Sequence, residues 1–140
     1  MRFVFISSLL LCAITLFAQN KTSSPPQTDT SAIIFIKTEV EASVDRQQWI
    51  DHLTKNLQSP IEKAAKKGMK AGTYVVQVKF LVEKDGSIND VQALNDPGYG
   101  LAMAAVKALK TGPRWEPGEQ DGKKVRSYHT QPITFVIQEK

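Results

Sequence analysis

The sequence predicts an α+β domain: a small antiparallel sheet of about three to four strands, with about two to three helices packed on one face. Three observations predict it. Residues 73–94 hold a long alternating run, an Asp-Gly turn and an apolar return. Residues 45–68 and 101–110 place apolar side chains at helical spacing. Residues 133–138 alternate again near the end of the chain. The expected order is weak strand, helix, short helix, strand, hairpin turn, strand, helix, strand.

Met1-Arg2, the apolar residues 3–18 and the small Ala18 follow the grammar of a signal peptide, with cleavage after Ala18. The rival is an uncleaved membrane anchor. A helix over residues 3–18 would span about 24 Å against a hydrocarbon core of about 30 Å, which favours cleavage. A lipoprotein site at Cys12 fits poorly, because Cys12 lies inside the apolar run and follows the large Leu11. Cys12 is the only cysteine, so a mature chain starting at Gln19 has no thiol chemistry and no disulfide. Residues 19–31 are polar, contain Pro25-Pro26 and read as a linker or disordered tail, with the domain following over 32–140. The 18 Lys+Arg and 14 Asp+Glu give a net charge of +4, too weak a bias to point to nucleic acid.

Residues 32–41, AIIFIKTEVE, are β-rich and read as a first strand or an extended lead-in. Asp45 is placed to cap a helix, with Gln48 at N3 and with Val44 and Trp49 at the positions of a hydrophobic staple. Trp49, Ile50, Leu53 and Leu57 form the apolar stripe. Ser59-Pro60-Ile61-Glu62 reads as a second N-terminus, because Pro60 suits N1 and disfavours helical geometry at Ser59. This short helix ends near Gly68, and a bend is expected between the two.

Tyr74, Val76, Val78, Phe80 and Val82 share one strand face, opposite the mixed face of Thr73, Val75, Gln77, Lys79, Leu81 and Glu83. Asp85-Gly86 suits a two-residue hairpin turn. Ile88, Val91 and Leu94 break strict alternation, which predicts a bulge near Asn89-Asp90. Asn95-Asp96-Pro97-Gly98 is a turn cluster. Residues 101–110 are a strong helix with Leu101, Ala105, Ala108 and Leu109 inward, stopped at Gly112-Pro113. Trp115 is expected to pack against that helix, held by Pro113 and Pro117. A second turn follows at Asp121-Gly122. Pro132 cannot donate to a ladder, so the last strand belongs at an edge or carries a bulge there.

Catalytic chemistry is sparse. His52 and His129 are far apart, have no cysteine near them and read as polar surface residues, so no metal site and no cofactor are expected. No Walker loop, Gly-x-Ser-x-Gly or Gly-x-Gly-x-x-Gly occurs, and Gly98-Tyr99-Gly100 is explained by a turn before a helix. Glu39 and Glu41 share a strand face but read as solvated. Lys63, Lys66, Lys67 and Lys70 make a basic patch, more often a solvated helix face than a site for lipid phosphate or an acidic partner.

Asn56-Leu57-Gln58-Ser59-Pro60, Gly72, the alternating Val76, Val78, Phe80 and Val82, and Asp85-Gly86-x-Ile88-x-Asp90-Val91 form an ordered set. Arg114-Trp115-x-Pro117-Gly118, Gly122-Lys123-x-Val125 and Pro132-Ile133-x-Phe135 complete it. The set resembles the C-terminal domain of the energy transducer TonB over about residues 33–138, as a short stand-alone version. The resemblance implies helices on one face of a small antiparallel sheet. It also implies a non-catalytic grip on an extended protein segment, the TonB box of an outer-membrane transporter, by which energy passes from an inner-membrane motor. The implied grip is strand addition to the edge of the last strand, through Pro132, Ile133, Thr134, Phe135, Val136 and Ile137. Asn56, Leu57 and Gln58 match the family's contacts before the helical proline, and Ser59 stands where the family usually has an aromatic. A full transducer carries an anchor and a long Pro-rich spacer. The linker over 19–31 reaches at most about 45 Å. The expectation is therefore a free periplasmic or secreted domain, and the alternative is an inner-membrane-anchored one facing the periplasm. The alternative function is a structural or self-assembling envelope protein, a homodimer paired through the same edge.

Overall fold

The computed structural model describes residues 33–139. The expected signal peptide over 1–18 and the expected linker over 19–31 lie outside the described residues. The elements are β1 (Ile34–Phe35), α1 (Arg46–Lys66), β2 (Gly72–Val82), β3 (Ile88–Ala93), α2 (Leu101–Lys110), β4 (Glu119–Gln120), β5 (Lys123–Lys124) and β6 (Arg126–Ile137). The main sheet has the order β1-β6-β2-β3, and β4-β5 form a separate small hairpin. The α+β class is borne out, with one correction: the sheet is mixed, because β1 runs parallel to β6. That pairing covers two residues only, too short a segment to signal its direction in the sequence.

The helical region is also corrected. No bend separates two helices; α1 is one helix of 21 residues with Pro60 inside it. Pro60 has no N–H for the Asn56 carbonyl, which costs a helix interior about 3 kcal/mol. Against that stand Leu57, Ile61 and Ala64, which keep one apolar register across the proline and pack into the core. The Asp45 carboxylate accepts from the Gln48 N–H at 2.8 Å, as the cap requires. Ile50 leaves the expected stripe and is 46% exposed. The helix closes at Gly68, whose φ of +90° lets Met69 N–H reach the Ala64 carbonyl.

β2 and β3 form the expected hairpin, but the loop is longer than expected. Glu83 N–H bonds the Ser87 carbonyl and Gly86 N–H the Glu83 carbonyl, so Lys84, Asp85 and Gly86 make a three-residue turn with Gly86 left-handed. A Cβ on Gly86 would collide with the Trp115 carbonyl oxygen, and Trp115 N–H bonds Gly86 O at 3.1 Å. The bulge is where the broken alternation puts it. Lys79 pairs with Gln92 and Leu81 with Asn89, which leaves Asp90 and Val91 opposite Phe80, and Asp90 adopts φ +47°.

Both helices lie on one face, α1 along β6 and α2 over β3 and β2. Val76, Val78, Phe80, Val82, Ile133, Phe135 and Ile137 close the core from the sheet. Trp49, Leu57, Leu101, Ala105 and Leu109 close it from the helices. Trp115 is buried, with ring neighbours Phe80 at 4.8 Å, His129 at 5.0 Å and Trp49 at 6.1 Å.

Candidate functional site

Along β6 every residue from Ser127 to Ile137 pairs with β2, in register from Ser127↔Val82 to Ile137↔Gly72. On its other side β6 meets β1 at Arg126 and Ser127 only. Among the described residues, nothing pairs with that outer side over 128–137. The sequence expectation of an edge at Pro132 therefore holds for this stretch, although β6 is not the outermost strand by order.

Hydrogen-bond phase decides which groups the edge presents. Gln77 N–H donates to the Asn95 side-chain oxygen at 2.7 Å, and its carbonyl accepts from Leu94 N–H at 2.8 Å. The Val75 carbonyl likewise accepts from the Asn95 amide at 2.8 Å. These groups point toward the β3 side of β2. Their partners across the other side, Pro132 and Thr134, therefore turn their backbone groups away from β2. By the same alternation Val136 does too. The open edge thus offers the N–H of Thr134 and Val136 and the carbonyls of Pro132, Thr134 and Val136. The missing N–H of Pro132 falls on this edge, where it breaks no bond to β2. Gln131 Nε2 donates to the Pro132 carbonyl at 3.2 Å.

Beside this edge runs an open groove of about 360 Å³ between α1 and β6, lined by Leu53, Leu57, Gln58, Ile61, Glu62 and Thr134, with Thr54 at its rim. Its floor is apolar because Leu53, Leu57 and Ile61 stand four residues apart on one flank of α1. Gln58 Nε2 donates to Glu62 Oε1 at 3.3 Å.

The structure places Leu57, Gln58 and Thr134 in one groove. Pro132 and Val136 lie on the edge itself. Ile133, Phe135 and Ile137 point into the core and are at most 2% exposed, so they fix the strand and do not face the groove. Asn56 is separated from the groove. Its amide donates to the His52 carbonyl at 2.8 Å, and it lines a depression on the α2 side of α1 together with Ser59. In the sequence, Leu53 belongs to the apolar stripe and Ile61 to the expected short helix. Their spacing across Pro60 was the signal for the groove, hidden by the expected helix break.

The histidines are corrected from surface to half-buried residues. His52 Nε2 lies 2.8 Å from the Ala108 carbonyl and ties α1 to α2. His129 packs on Phe80 and Trp115, and burial pushes its pKa below the usual 6.5. Glu39 accepts from Gln120 and from Asp121 N–H, which anchors the lead-in to the β4-β5 hairpin. Opposite the helices, Tyr128 O–H donates to Asp90 Oδ2 at 2.7 Å, and Lys79 Nζ lies 4.3 Å from the Tyr128 ring centre. The Tyr128 bond holds the Asp90 carboxyl below its ordinary range. Among the described residues, no helix is long and apolar enough to cross a membrane.

Fold and site together define a small α+β domain with two helices on one sheet face and an open edge on its last strand. Residues 62–137, more than half of the chain, match the family model for the Gram-negative bacterial TonB protein C-terminal, and the chain belongs to that family. The family is one of non-enzymatic protein-interaction domains that face the periplasm and serve envelope transport, meeting proteins such as outer-membrane transporters. No curated protein matches the chain.

Proposed function

We propose that this chain is a non-catalytic periplasmic domain that binds an extended segment of a partner protein, of the TonB-box kind, by strand addition to β6. The observation that carries the reading is the bare β6 edge at Thr134 and Val136 beside the Leu53–Leu57–Ile61 groove. An added strand takes its affinity from main-chain bonds to those residues. Alternate side chains of the segment reach over α1, where the apolar floor and the Gln58–Glu62 rim select among them. The rest of the reading rests on the sequence and the family together: residues 1–18 as a signal peptide cleaved after Ala18, residues 19–31 as a linker or disordered tail, and, from the family, a role in outer-membrane transport.

The test is a titration of isotope-labelled protein with transporter-derived TonB-box peptides, followed by NMR. The Thr134 and Val136 amides and the methyl groups of Leu53, Leu57 and Ile61 shift together, and Leu53→Asp weakens binding. Shifts confined to other surfaces, or none with any transporter segment, overturn the reading. The same edge also admits a second copy of the chain. A solution mass that rises with concentration and falls back on adding peptide assigns self-pairing to this edge.

A further inference from the structure

The flank of α1 turned away from β6 carries a second surface. Two shallow depressions, of about 210 and about 270 Å³, follow the seam between α1 and α2. Pro60, Lys63, Ala104 and Lys107 line both, and Lys67, Tyr99, Gly100 and Met103 complete the second. No carboxylate lines either one. Lys66 and Lys70 extend the charge along the end of α1, and Lys110 extends it one turn along α2. Among the described residues the ion pairs are Arg114–Asp85, Lys124–Glu116 and Arg126–Glu83, so none of these six lysines has a partner carboxylate.

Part of the pattern is intrahelical. Lys63, Lys66, Lys107 and Lys110 lie in last turns, where cations favour the carbonyl end of a helix. That does not account for the apolar side chains between them. Met103 is 78% exposed and Tyr99 is 46% exposed. A protruding methionine and tyrosine ringed by lysines is what a bilayer interface accepts. The apolar tips enter beneath the headgroups, and the lysine stems lie along the apolar surface while their ammonium groups reach phosphate. A fluid bilayer needs no complementary pocket for such a protrusion, whereas a folded acidic protein does.

We propose that the α1–α2 seam docks this domain on a bilayer rich in anionic phospholipid, with Met103 and Tyr99 at the headgroup boundary and Lys63, Lys67 and Lys107 on the lipid phosphates. The surface shares no residue with the β6 groove, so it stands or falls independently of strand addition.

The test is lysine footprinting of the full chain by acetylation and mass spectrometry. The protein is reconstituted in vesicles of phosphatidylcholine alone or of phosphatidylcholine with phosphatidylglycerol, so any insertion of the N-terminal apolar run is common to both. On the anionic vesicles, labelling of Lys63, Lys67, Lys107 and Lys110 falls by about threefold or more and is restored by high salt. Lys123 and Lys124 serve as internal controls and do not change. In K63E/K67E/K107E the protection of Lys110 disappears, and M103S weakens it. Equal labelling on the two vesicle types, whether high or low, overturns the proposal. Equal protection by dissolved polyglutamate also overturns it and assigns the surface to an acidic protein.

Discussion

Pro132 is the residue that keeps the open edge from being a uniform template. Its missing N–H would otherwise be the next donor in line with Thr134 and Val136, and edge prolines are one way proteins limit unwanted strand pairing. Pro132→Thr restores that donor. Sedimentation of the variant is expected to show association at lower concentration than the parent chain, and an unchanged monomer mass at all concentrations would contradict this. His129 makes a different prediction at the same scale. Its pKa is depressed in the folded state, chiefly by burial, with the Glu41 charge and a hydrogen bond from the ring to the Gln131 side chain opposing in part. The unfolded chain therefore binds the proton more readily. The stability that neutral His129 confers is fully present above the unfolded value of about 6.5 and is lost as pH falls through the lower folded value. Urea unfolding at about pH 7.5 and about pH 5 measures it, and His129→Phe should flatten the part of the slope that this ring supplies.

At the scale of elements, α1 shows a local rule overruled by packing. Pro60 after Ser59 argues for a new helix, yet Leu53, Leu57, Ile61 and Ala64 keep one face toward the sheet and the core, and the helix continues. Pro60→Ala restores the bond to the Asn56 carbonyl. It is expected to raise thermal stability, by up to about 3 kcal/mol at the midpoint. A drop in stability would show that the proline is required where it stands. The elements read correctly are those whose signals agree. α2 spans Leu101–Lys110, as helix propensity and the flanking glycines require, and the β3 bulge falls at Asp90, where alternation breaks. The hairpin loop departs from the two-residue expectation because Asp-Gly suits both a two-residue turn and the last positions of a three-residue one. Only the Glu83–Ser87 pairing distinguishes them. The bulge also bears on function. Among the described residues the outer edge of β3 is unpaired as well, but left-handed Asp90 interrupts its ladder, whereas β6 stays regular opposite β2 from Ser127 to Ile137.

For the whole molecule, two pieces of the family resemblance, Asp85-Gly86-x-Ile88-x-Asp90-Val91 and Arg114-Trp115-x-Pro117-Gly118, meet in space. The Asp85-Gly86 turn receives the Trp115 backbone. Gly118 of the Trp-x-Pro-Gly stretch sits so close to Thr38, Val40 and Ser127 that a side chain there would clash. This explains why spacing along the chain could reveal the fold. The groove was not legible in the same way. It lies between α1 and β6, which are far apart in sequence, and neither strand periodicity nor helix periodicity says which residues border an edge. Asn56 shows the limit, since adjacency to Leu57 and Gln58 in sequence sends it to the opposite flank of a helix. The central claim is that β6 presents alternate amides for pairing, and amide hydrogen exchange with and without a transporter-derived peptide tests it most directly. The account predicts slow exchange at Ile133 and Phe135 in both states. It predicts fast exchange at Thr134 and Val136 in the free protein, falling by about tenfold or more when peptide is bound. Thr134 and Val136 amides already protected in the free monomer, or unchanged by a peptide that demonstrably binds, would contradict it.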